Sequence, residues 1–186
     1  MNLNKMISYM DVAEAIMRKS KDPSTQVGAV ALDDECGLIC AGYNGFSRGV
    51  KDLPERLEDR SLKYPLTVHA EANLIAQAAR KGLRLEGATV VVTSLYPCSQ
   101  CASLMAQAGV KRIITTRPDN ERWNESAKLA DIVFNEAAQG IEVVEVEKVN
   151  GQWVTTQNYK DKKTKELMDM LHTVPTMAFN VAFNND

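Results

Sequence analysis

The chain has 186 residues, enough for one domain with a sizeable buried core. Hydrophobic residues make up 45% and charged residues 25% of it, as in soluble globular proteins, and no apolar run is long enough to cross a bilayer. The N-terminus lacks a signal-peptide pattern, so we expect a cytoplasmic protein with no membrane partner. The net charge of −2 argues against long nucleic acid as a partner.

The first half of the chain predicts a helix, two strands and a charged insertion. Apolar residues at helical spacing cover Lys5–Lys19 and stop before Pro23. The short β-rich runs VGAVAL and GLICAGYN follow, separated by the polar turn DDEC. Residues 47–65, SRGVKDLPERLEDRSLKYP, are too charged for a core, which predicts an ordered surface insertion or flap.

From residue 69 onward, helical and strand patterns alternate. Helices are predicted over 70–82, 98–109 and 126–140, and strands over 88–94, 111–116 and 141–149. This alternation predicts an α/β fold in which helices cover a central, mixed sheet. Asn150-Gly151 between two β-like runs predicts a hairpin, and a further helix is predicted over Lys160–His172. We therefore expect a domain over 1–149 and a hairpin and helix extension over 150–186 packed on the same domain.

Four cysteines and two histidines limit the membership of any metal site. In a reducing compartment such cysteines are metal ligands, catalytic groups or buried small side chains rather than disulfides. Cys98 and Cys101 alone have the spacing of metal ligands. We interpret Cys36 and Cys40 as small hydrophobic residues and His172 as a solvated or packing histidine.

Two short motifs at helix starts predict a catalytic zinc site. Cys98 and Cys101, three residues apart on a first helical turn, face the same way, and the helix N-terminus favours their thiolate form. His69 supplies a nitrogen from the neighbouring helix start, which lies close if the two preceding strands are adjacent. Three protein ligands leave a fourth position open, as catalytic zinc sites do, and water there is acidic enough to supply hydroxide near neutral pH.

Glu71 follows His69 by two residues, so it points away from the metal but into the same cavity. A carboxylate there can move protons, because a dry pocket raises its pKa. Alone, an H-x-E at a helix start is usually capping and surface charge, and a lone C-x-x-C is usually structural zinc, redox or core. Together and in this order they form the H-x-E and P-C-x-x-C signature of zinc nucleobase deaminases.

Five blocks carry a more specific resemblance. They are SKDPSTQVGAV (20–30), GYNGF (42–46), KYPLTVHAEANLI (63–75), TSLYPCSQCA (93–102) and QAGVKRII (107–114). Through them the chain resembles the deoxycytidylate (dCMP) deaminases of the cytidine deaminase-like superfamily over roughly Tyr9 to Val146. The resemblance implies a three-layer α/β/α sandwich with a central mixed five-stranded sheet and a zinc-dependent deaminase domain over 1–149. It also implies one Zn²⁺ per subunit on His69, Cys98 and Cys101.

The implied activity is hydrolysis of dCMP to dUMP and ammonia, which supplies dUMP for thymidylate synthesis, with Glu71 as proton shuttle. By the same resemblance Asn44 binds the sugar or nucleotide, and Ala70 and the residues from Ser94 to Tyr96 line the base pocket. Trp123 either stacks on the pyrimidine or is a core or interface residue. The phosphate requires cations, for which the candidates are Arg48, Lys51, Arg56, Arg60 and Arg122; Arg48 and Arg122 are carried forward as site residues.

The resemblance also implies a homo-oligomer, typically a hexamer, and regulation by dCTP as activator and dTTP as inhibitor, with Mg²⁺ accompanying such an effector. The chain departs from the family pattern after GYNG, where Ser47 replaces the usual proline and the charged insertion follows.

Other functions remain open. Within the same chemistry they are deamination of a modified cytosine nucleotide such as a 5-substituted dCMP, a riboflavin-pathway pyrimidine deaminase and a tRNA adenosine deaminase. Asn73, in HAE-A-N, disfavours the last of these, as does a chain that is not basic. A zinc-stabilised regulatory or binding module is the non-enzymatic alternative, but such a module has no use for Glu71.

Overall fold

The computed structural model describes residues 2–118, 121–138, 140–159 and 161–165. Its helices are α1 (Leu3–Ile7), α2 (Tyr9–Met17), α3 (Pro54–Glu58), α4 (Arg60–Leu66), α5 (Ala70–Lys81), α6 (Ser99–Gln107) and α7 (Glu121–Glu136). Its strands are β1 (Gly28–Leu32), β2 (Leu38–Tyr43), β3 (Gly45–Phe46), β4 (Thr67–Val68), β5 (Thr89–Val92), β6 (Arg112–Thr115), β7 (Glu142–Val149) and β8 (Gln152–Thr155).

A mixed sheet in the order β2-β1-β5-β6-β7-β8 forms the centre of the fold, which confirms the predicted α/β class. Strands β5, β6 and β7 run parallel, because α6 and α7 connect them as crossovers, while β1 is antiparallel to both β2 and β5. Within the described residues the sheet has six strands rather than the expected five. The extra strand is β8, the second strand of the hairpin, which pairs with β7 and so continues the central sheet.

Side chains alternate between the two faces of the sheet, and both faces are covered. Ala29 and Val92 pack toward the cluster that includes α5, α6 and α7, whereas Val30 and Val91 pack toward α1 and α2. Because each inner strand buries both faces, the central strands read as nearly continuous apolar runs. Helices on both sides of one sheet confirm the three-layer sandwich.

Helix α5 lies unusually close to the sheet because a glycine faces it. A Cβ atom at Gly42 on β2 would collide with the carbonyl oxygen of Ala70 and lie 2.6 Å from the backbone nitrogen of Leu74. The absence of a side chain therefore lets the first turn of α5 pack directly against β2. This contact sets the depth at which α5 presents its N-terminal residues.

Several predicted boundaries differ from the structure. The first helix is two helices, α1 and α2, which meet at Ser8, and α7 begins at Glu121 rather than at residue 126. The earlier start places Arg122 and Trp123 in the first turn of α7. Residues 157–159 and 161–165 are helical, so helical structure is already present before the predicted start at Lys160, while most of the predicted length, with His172, lies outside the described residues.

The charged insertion contains two short helices, α3 and α4, and is mostly exposed, as predicted. The prediction that the insertion lies outside the core is wrong at one residue, Lys63, whose side chain is only 4% exposed. Lys63 can be buried because Asp22 supplies a counter-charge. In the described part of the chain, no helix is both long enough and apolar enough to span a membrane.

Candidate active site

His69, Cys98 and Cys101 come together with the geometry of a zinc site. The Nδ1 atom of His69 lies 3.4 Å from the Cys98 sulfur and 3.5 Å from the Cys101 sulfur. Ligands bound to one tetrahedral zinc at normal Zn–S and Zn–N lengths are about 3.5 Å apart, so the three atoms fit a single ion. Ligation through Nδ1 requires the imidazole proton to be on Nε2.

Two helix starts bring the cluster together. His69 is the N-cap of α5 and Cys98 is the N-cap of α6, whose sulfur accepts a hydrogen bond from the backbone N–H of Cys101. The strands that precede these helices are not adjacent: α6 follows β5 of the central sheet, but α5 follows β4 of a separate pair formed with β3. The helix starts meet because α5 packs on β2 and β1, and β1 neighbours β5.

The electrostatics of the cluster favour a cation between the sulfurs. A hydrogen bond from Cys101, together with the neighbouring His69, lowers the pKa of the Cys98 thiol to about 4. The hydrogen bond to Cys98, together with burial, raises the pKa of the Cys101 thiol. The hydrogen bond with Cys98 raises the pKa of His69. Two thiolates this close require a positive charge between them, which a divalent metal supplies and a single proton supplies only in part.

Glu71 is buried beside this cluster, with 5% of its surface exposed. Burial raises the pKa of its carboxyl group, and the nearby His69 opposes that rise. Glu71 lines the same cavity as His69, as the sequence predicted for the proton-shuttling residue. A carboxyl group with a raised pKa can both accept and return a proton.

The cavity in front of the cluster has a volume of about 360 Å³, large enough for a small organic ligand. Of the residues predicted to bind substrate, Asn44, Ala70, Tyr96, Trp123 and Arg122 line it. Their roles stay predictions, but the structure places all five around one space.

Ser94 and Arg48 do not line this cavity. Ser94 has a left-handed backbone conformation (φ 69°), and its hydroxyl is directed to the sulfur of Met17 at 3.0 Å. The turn at Ser94 sends its side chain away and brings Leu95 and Tyr96 to the cavity instead. Arg48 is exposed in the insertion, as are Lys51, Arg56 and Arg60 in part or whole, and none of these cations reaches the cavity wall.

Asn44 and Trp123 hold the cavity wall together through their polar groups. The Asn44 side chain accepts a hydrogen bond from the Val27 N–H at 2.8 Å and donates one to the Thr25 carbonyl at 2.9 Å. The indole N–H of Trp123 donates to the Tyr96 carbonyl at 2.6 Å, and its ring centroid lies 6.1 Å from that of His69. These hydrogen bonds engage the polar groups of both side chains, so the faces of the amide and of the indole ring are what remains available to a ligand.

A partly exposed ionic network supports Tyr96 from behind. Its hydroxyl donates to Asp131 at 2.5 Å, and the guanidinium of Arg117 lies 3.9 Å from the centre of its ring. Arg117 also pairs with Asp131 and Glu145. Burial, followed by the hydrogen bond to Asp131, raises the pKa of Tyr96. Tyr96 is therefore a fixed part of the wall and stays protonated.

The sequence reasoning missed part of the wall. Additional lining residues are Asp22, Ser24, Thr25, Val27, Lys63, Tyr64 and Thr67. All of them except Val27 are polar, and all seven fall within the blocks 20–30 and 63–75 that carried the family resemblance. Their position in those blocks was the signal by which the sequence could have identified them as cavity-lining residues.

Asn73, which distinguished nucleotide deaminases from tRNA deaminases in the sequence, does not line the cavity. Its side-chain amide donates to the carbonyl of Tyr43 at 2.8 Å, where β2 ends. Asn73 therefore ties α5 to the sheet, and in this fold its contribution is structural.

Comparison with known proteins agrees with this site. A family model described as the cytidine and deoxycytidylate deaminase zinc-binding region matches residues 3–117. Human deoxycytidylate deaminase is 37% identical over 134 residues, which cover 69% of this chain and 73% of the human one. A deaminase encoded in the luxG 3′ region of Aliivibrio fischeri is 36% identical over 138 residues, covering 73% of this chain and 88% of that protein.

A solved structure shares the fold. The dCMP deaminase of cyanophage S-TIM5, crystallised with dCMP and dUMP, superposes with a TM-score of 0.61 at 23% sequence identity. The match covers 78% of this chain and 98% of the phage protein.

Proposed function

Because the chain belongs to the cytidine and deoxycytidylate deaminase family, we propose that it hydrolyses dCMP to dUMP and ammonia. One observation supports this most strongly: a His-Cys-Cys cluster with zinc spacing and a buried carboxylate lie together at one cavity. Human deoxycytidylate deaminase is among the relatives of this chain, which supports dCMP rather than another cytosine compound as the substrate.

His69, Cys98 and Cys101 would hold a zinc ion beside the cavity that His69 lines. Zinc bound by three protein ligands is a Lewis acid that lowers the pKa of a water molecule enough to make it a nucleophile near neutral pH. His69 and Cys98 are the N-caps of α5 and α6. The positive potential at these two helix N-termini stabilises the thiolates of Cys98 and Cys101.

Glu71 moves the protons of the reaction. Its carboxylate accepts a proton from the attacking water and delivers it to N3 of the cytosine ring as the bond from oxygen to C4 forms. It then takes the second proton from the new hydroxyl group on C4 and delivers it to the amino group, so that the C4=O double bond forms, the C4–N bond breaks and ammonia leaves. Burial suits Glu71 to both steps, because a raised pKa lets the carboxyl group be protonated transiently.

The cavity walls orient the base. The ring of Trp123 stacks on one face of the pyrimidine, and the backbone of Ala70 and the Leu95–Tyr96 segment meet its edge. Asn44 contacts the sugar through the part of its amide that the loop 25–27 leaves free.

A substrate panel tests this proposal. Ammonia release is measured with dCMP, CMP, dCTP, deoxycytidine, 5-substituted dCMP and tRNA. We expect the highest kcat/KM with dCMP. Preference for a 5-substituted dCMP would identify a modified-nucleotide deaminase, preference for tRNA a tRNA adenosine deaminase, and zinc binding without turnover of any substrate a regulatory or binding module.

Assembly and regulation form part of the proposal. The protein is a cytoplasmic homo-oligomer, a hexamer in the family pattern, activated by dCTP with Mg²⁺ and inhibited by dTTP. Exposed apolar side chains on the neighbouring helices α6 and α7 support an interface there: Leu104, Leu129 and Ile132 are 44–50% exposed. Light scattering gives the subunit number, and dCMP turnover with each effector gives the response.

A further inference from the structure

Tyr96, in the wall of the candidate active site, is held by directional contacts on several sides. Its hydroxyl donates to the carboxylate of Asp131 at 2.5 Å, and the guanidinium of Arg117 lies 3.9 Å from its ring centre. The ring of Phe134 meets it edge-on, with the two centroids 6.1 Å apart. Its backbone carbonyl accepts the indole N–H of Trp123 at 2.6 Å. Together these contacts fix the tyrosine ring, and through the carbonyl they also fix the indole.

The backbone that leads to Tyr96 is strained. Ser94 has a φ of 69°, a left-handed conformation that costs a residue other than glycine on the order of 1–3 kcal/mol. Such a conformation persists only where the surrounding structure enforces it. Leu95 and Tyr96 follow this turn directly, and both line the cavity. The contacts of Tyr96 therefore help to keep an unfavourable turn in the form that brings Leu95 to the cavity.

Asp131 and Arg117 hold Tyr96 without being among the described residues that line the cavity. Arg117 forms two hydrogen bonds with the Asp131 carboxylate, at 2.5 and 3.0 Å, and its Nε atom lies 2.9 Å from Glu145 on β7. The Oδ1 atom of Asp131 accepts from both Tyr96 and Arg117. Hydrogen bonds to an ionised acceptor are stronger than neutral ones, so the carboxylate is a firm anchor for the tyrosine hydroxyl.

Helix α7 carries both ends of this arrangement. Trp123 borders the cavity in its first turn, and Asp131 holds Tyr96 about two turns later. Between them, the hydroxyl of Ser126 accepts the backbone N–H of Ser99, the first residue of α6, at 3.2 Å. One helix therefore sets the position of the whole segment between the strained turn and the start of α6.

We propose that Asp131, together with Arg117, is a positioning residue of the deaminase. Through the hydroxyl of Tyr96 the pair fixes the Leu95–Tyr96 wall and the indole of Trp123, and thereby sets the affinity for the pyrimidine ring. The inference rests on the proposed function, because the base of dCMP is what this wall meets. The effect of the pair on substrate binding passes through Tyr96.

The alternative is that the network serves only to fasten α7 to the sheet. In that case loss of the Tyr96 hydroxyl lowers the stability of the protein but leaves the folded protein with the same substrate affinity. It also leaves the surroundings of the indole unchanged.

Tyr159 offers a matched control for the loss of a tyrosine hydroxyl. Its hydroxyl donates to the carboxylate of Glu142 at 3.0 Å, and Glu142 pairs with Arg112 at 2.6 Å. Tyr159 is not among the described residues around the active-site cavity. Tyr159→Phe therefore breaks the same kind of tyrosine–carboxylate contact at a place where no effect on the base is expected.

The first experiment measures kcat and KM for dCMP in zinc-loaded wild-type protein and variants. We expect Tyr96→Phe to raise KM about 3- to 10-fold and to change kcat less than about twofold, since it removes one hydrogen bond behind the wall. Asp131→Leu should raise KM at least as much, and Asp131→Asn less, because the amide keeps one acceptor for the hydroxyl. Tyr159→Phe should leave both constants unchanged.

A double variant tests whether Asp131 acts through Tyr96. The two single substitutions break the same hydrogen bond, so KM of Tyr96→Phe/Asp131→Leu should be close to that of Asp131→Leu alone. All these Asp131 variants leave Arg117 paired with Glu145, so no cation loses every partner. If Tyr96→Phe does not fold, Asp131→Asn tests the same contact with the phenol ring in place.

The second experiment observes the wall without turnover. The chain has two tryptophans, so Trp153→Phe leaves Trp123 as the single indole fluorophore. Indole emission moves to longer wavelength when the ring gains contact with water. We expect this shift when Tyr96→Phe or Asp131→Leu is added to Trp153→Phe, and no shift when Tyr159→Phe is added.

Unchanged emission with Tyr96→Phe and Asp131→Leu, or an equal rise of KM in Tyr159→Phe, would overturn the inference. So would a shift in emission without a rise in KM, because the wall would then move without consequence for binding. A wild-type protein that turns over no dCMP contradicts the proposed function instead, and the emission comparison still tests whether the network positions the indole.

Discussion

Glu71 and His69 are two residues apart, yet the structure surrounds them differently. The ring of His69 has its Nδ1 atom directed at two sulfurs, whereas Glu71 is buried in the cavity wall and has a raised pKa. These different surroundings predict that substitutions of His69 and of Glu71 have different effects. We expect changes at His69 to impair metal binding and changes at Glu71 to impair proton transfer.

Glu71→Gln should lower kcat for dCMP by at least about 100-fold while zinc remains bound, because an amide cannot move protons. The measurements are steady-state turnover and the metal content of the purified variant. Glu125→Gln, at an exposed position on α7, serves as the control and should keep full activity. Retained turnover in Glu71→Gln would remove the proton-transfer role from this residue.

Cys98→Ser should reduce zinc content well below one ion per chain, because a neutral hydroxyl replaces a thiolate ligand. Cys40→Ala provides the comparison, since Cys40 is buried but its sulfur contacts the carbonyl of Leu74 rather than the cluster. Full zinc occupancy in Cys98→Ser would show that the ligand set is wrongly assigned.

At the residue scale, the motifs predicted the metal cluster and the buried carboxylate because both depend on spacing at helix starts. They did not predict Lys63 or Asp22, since a charged residue in a charged insertion gives no sign of burial. Its burial depends on a partner 41 residues away. Ser94 does not line the cavity, because its left-handed turn directs the side chain elsewhere.

Secondary-structure elements position the site through one close contact between β2 and α5. Gly42→Ala should destabilise the protein by about 1–3 kcal/mol and lower activity, because the new methyl group displaces the first turn of α5, which carries Ala70 and Glu71. Chemical denaturation and dCMP turnover measure the two effects. Gly45→Ala is the matched control, since a Cβ atom there meets nothing within 4 Å; an equal effect of both substitutions would contradict the account.

The loop that carries Asp22 is tied to α4 by the pair with Lys63, and this tie should depend on pH. Burial raises the pKa of Asp22, but hydrogen bonds from Ser24, Thr25 and Lys63 outweigh it and lower the pKa below the ordinary value. A lowered folded-state pKa stabilises the protein above about pH 4, and the contribution is lost as pH falls through the folded value.

Asp22→Asn should therefore lower the free energy of unfolding by about 1–3 kcal/mol at pH 7, and the difference from wild type should shrink below about pH 4. Denaturant titrations at pH 7 and pH 3 measure it. A difference that stayed constant or grew on acidification would show that the carboxylate of Asp22 is not the stabilising group.

Hydrophobic periodicity predicted most helices and strands, but tertiary contacts determine where they begin and end. The start of α7 was placed five residues late because its first turn, which contains Arg122 and Trp123, is polar and faces the cavity. The sixth strand was treated as part of an extension, since a hairpin signal shows that two strands pair but not which sheet they join.

For the whole molecule, the predicted family and three-layer fold are confirmed, and four of the five sequence blocks contribute residues to one cavity. The division at residue 149 stays a prediction, and so does the oligomer. The domain division and the oligomer depend on surface residues rather than on the core. Hydrophobic periodicity identifies core residues and says little about which surfaces contact each other.

The central claim is that zinc held by His69, Cys98 and Cys101 makes this chain a dCMP deaminase. Its most direct test is the conversion of dCMP to dUMP and ammonia by the same preparation before chelation, after chelation and after zinc is restored. We expect activity to be lost with the metal and recovered as zinc approaches one ion per chain. Full turnover by the metal-free protein, or no ammonia from dCMP with zinc fully bound, would contradict it.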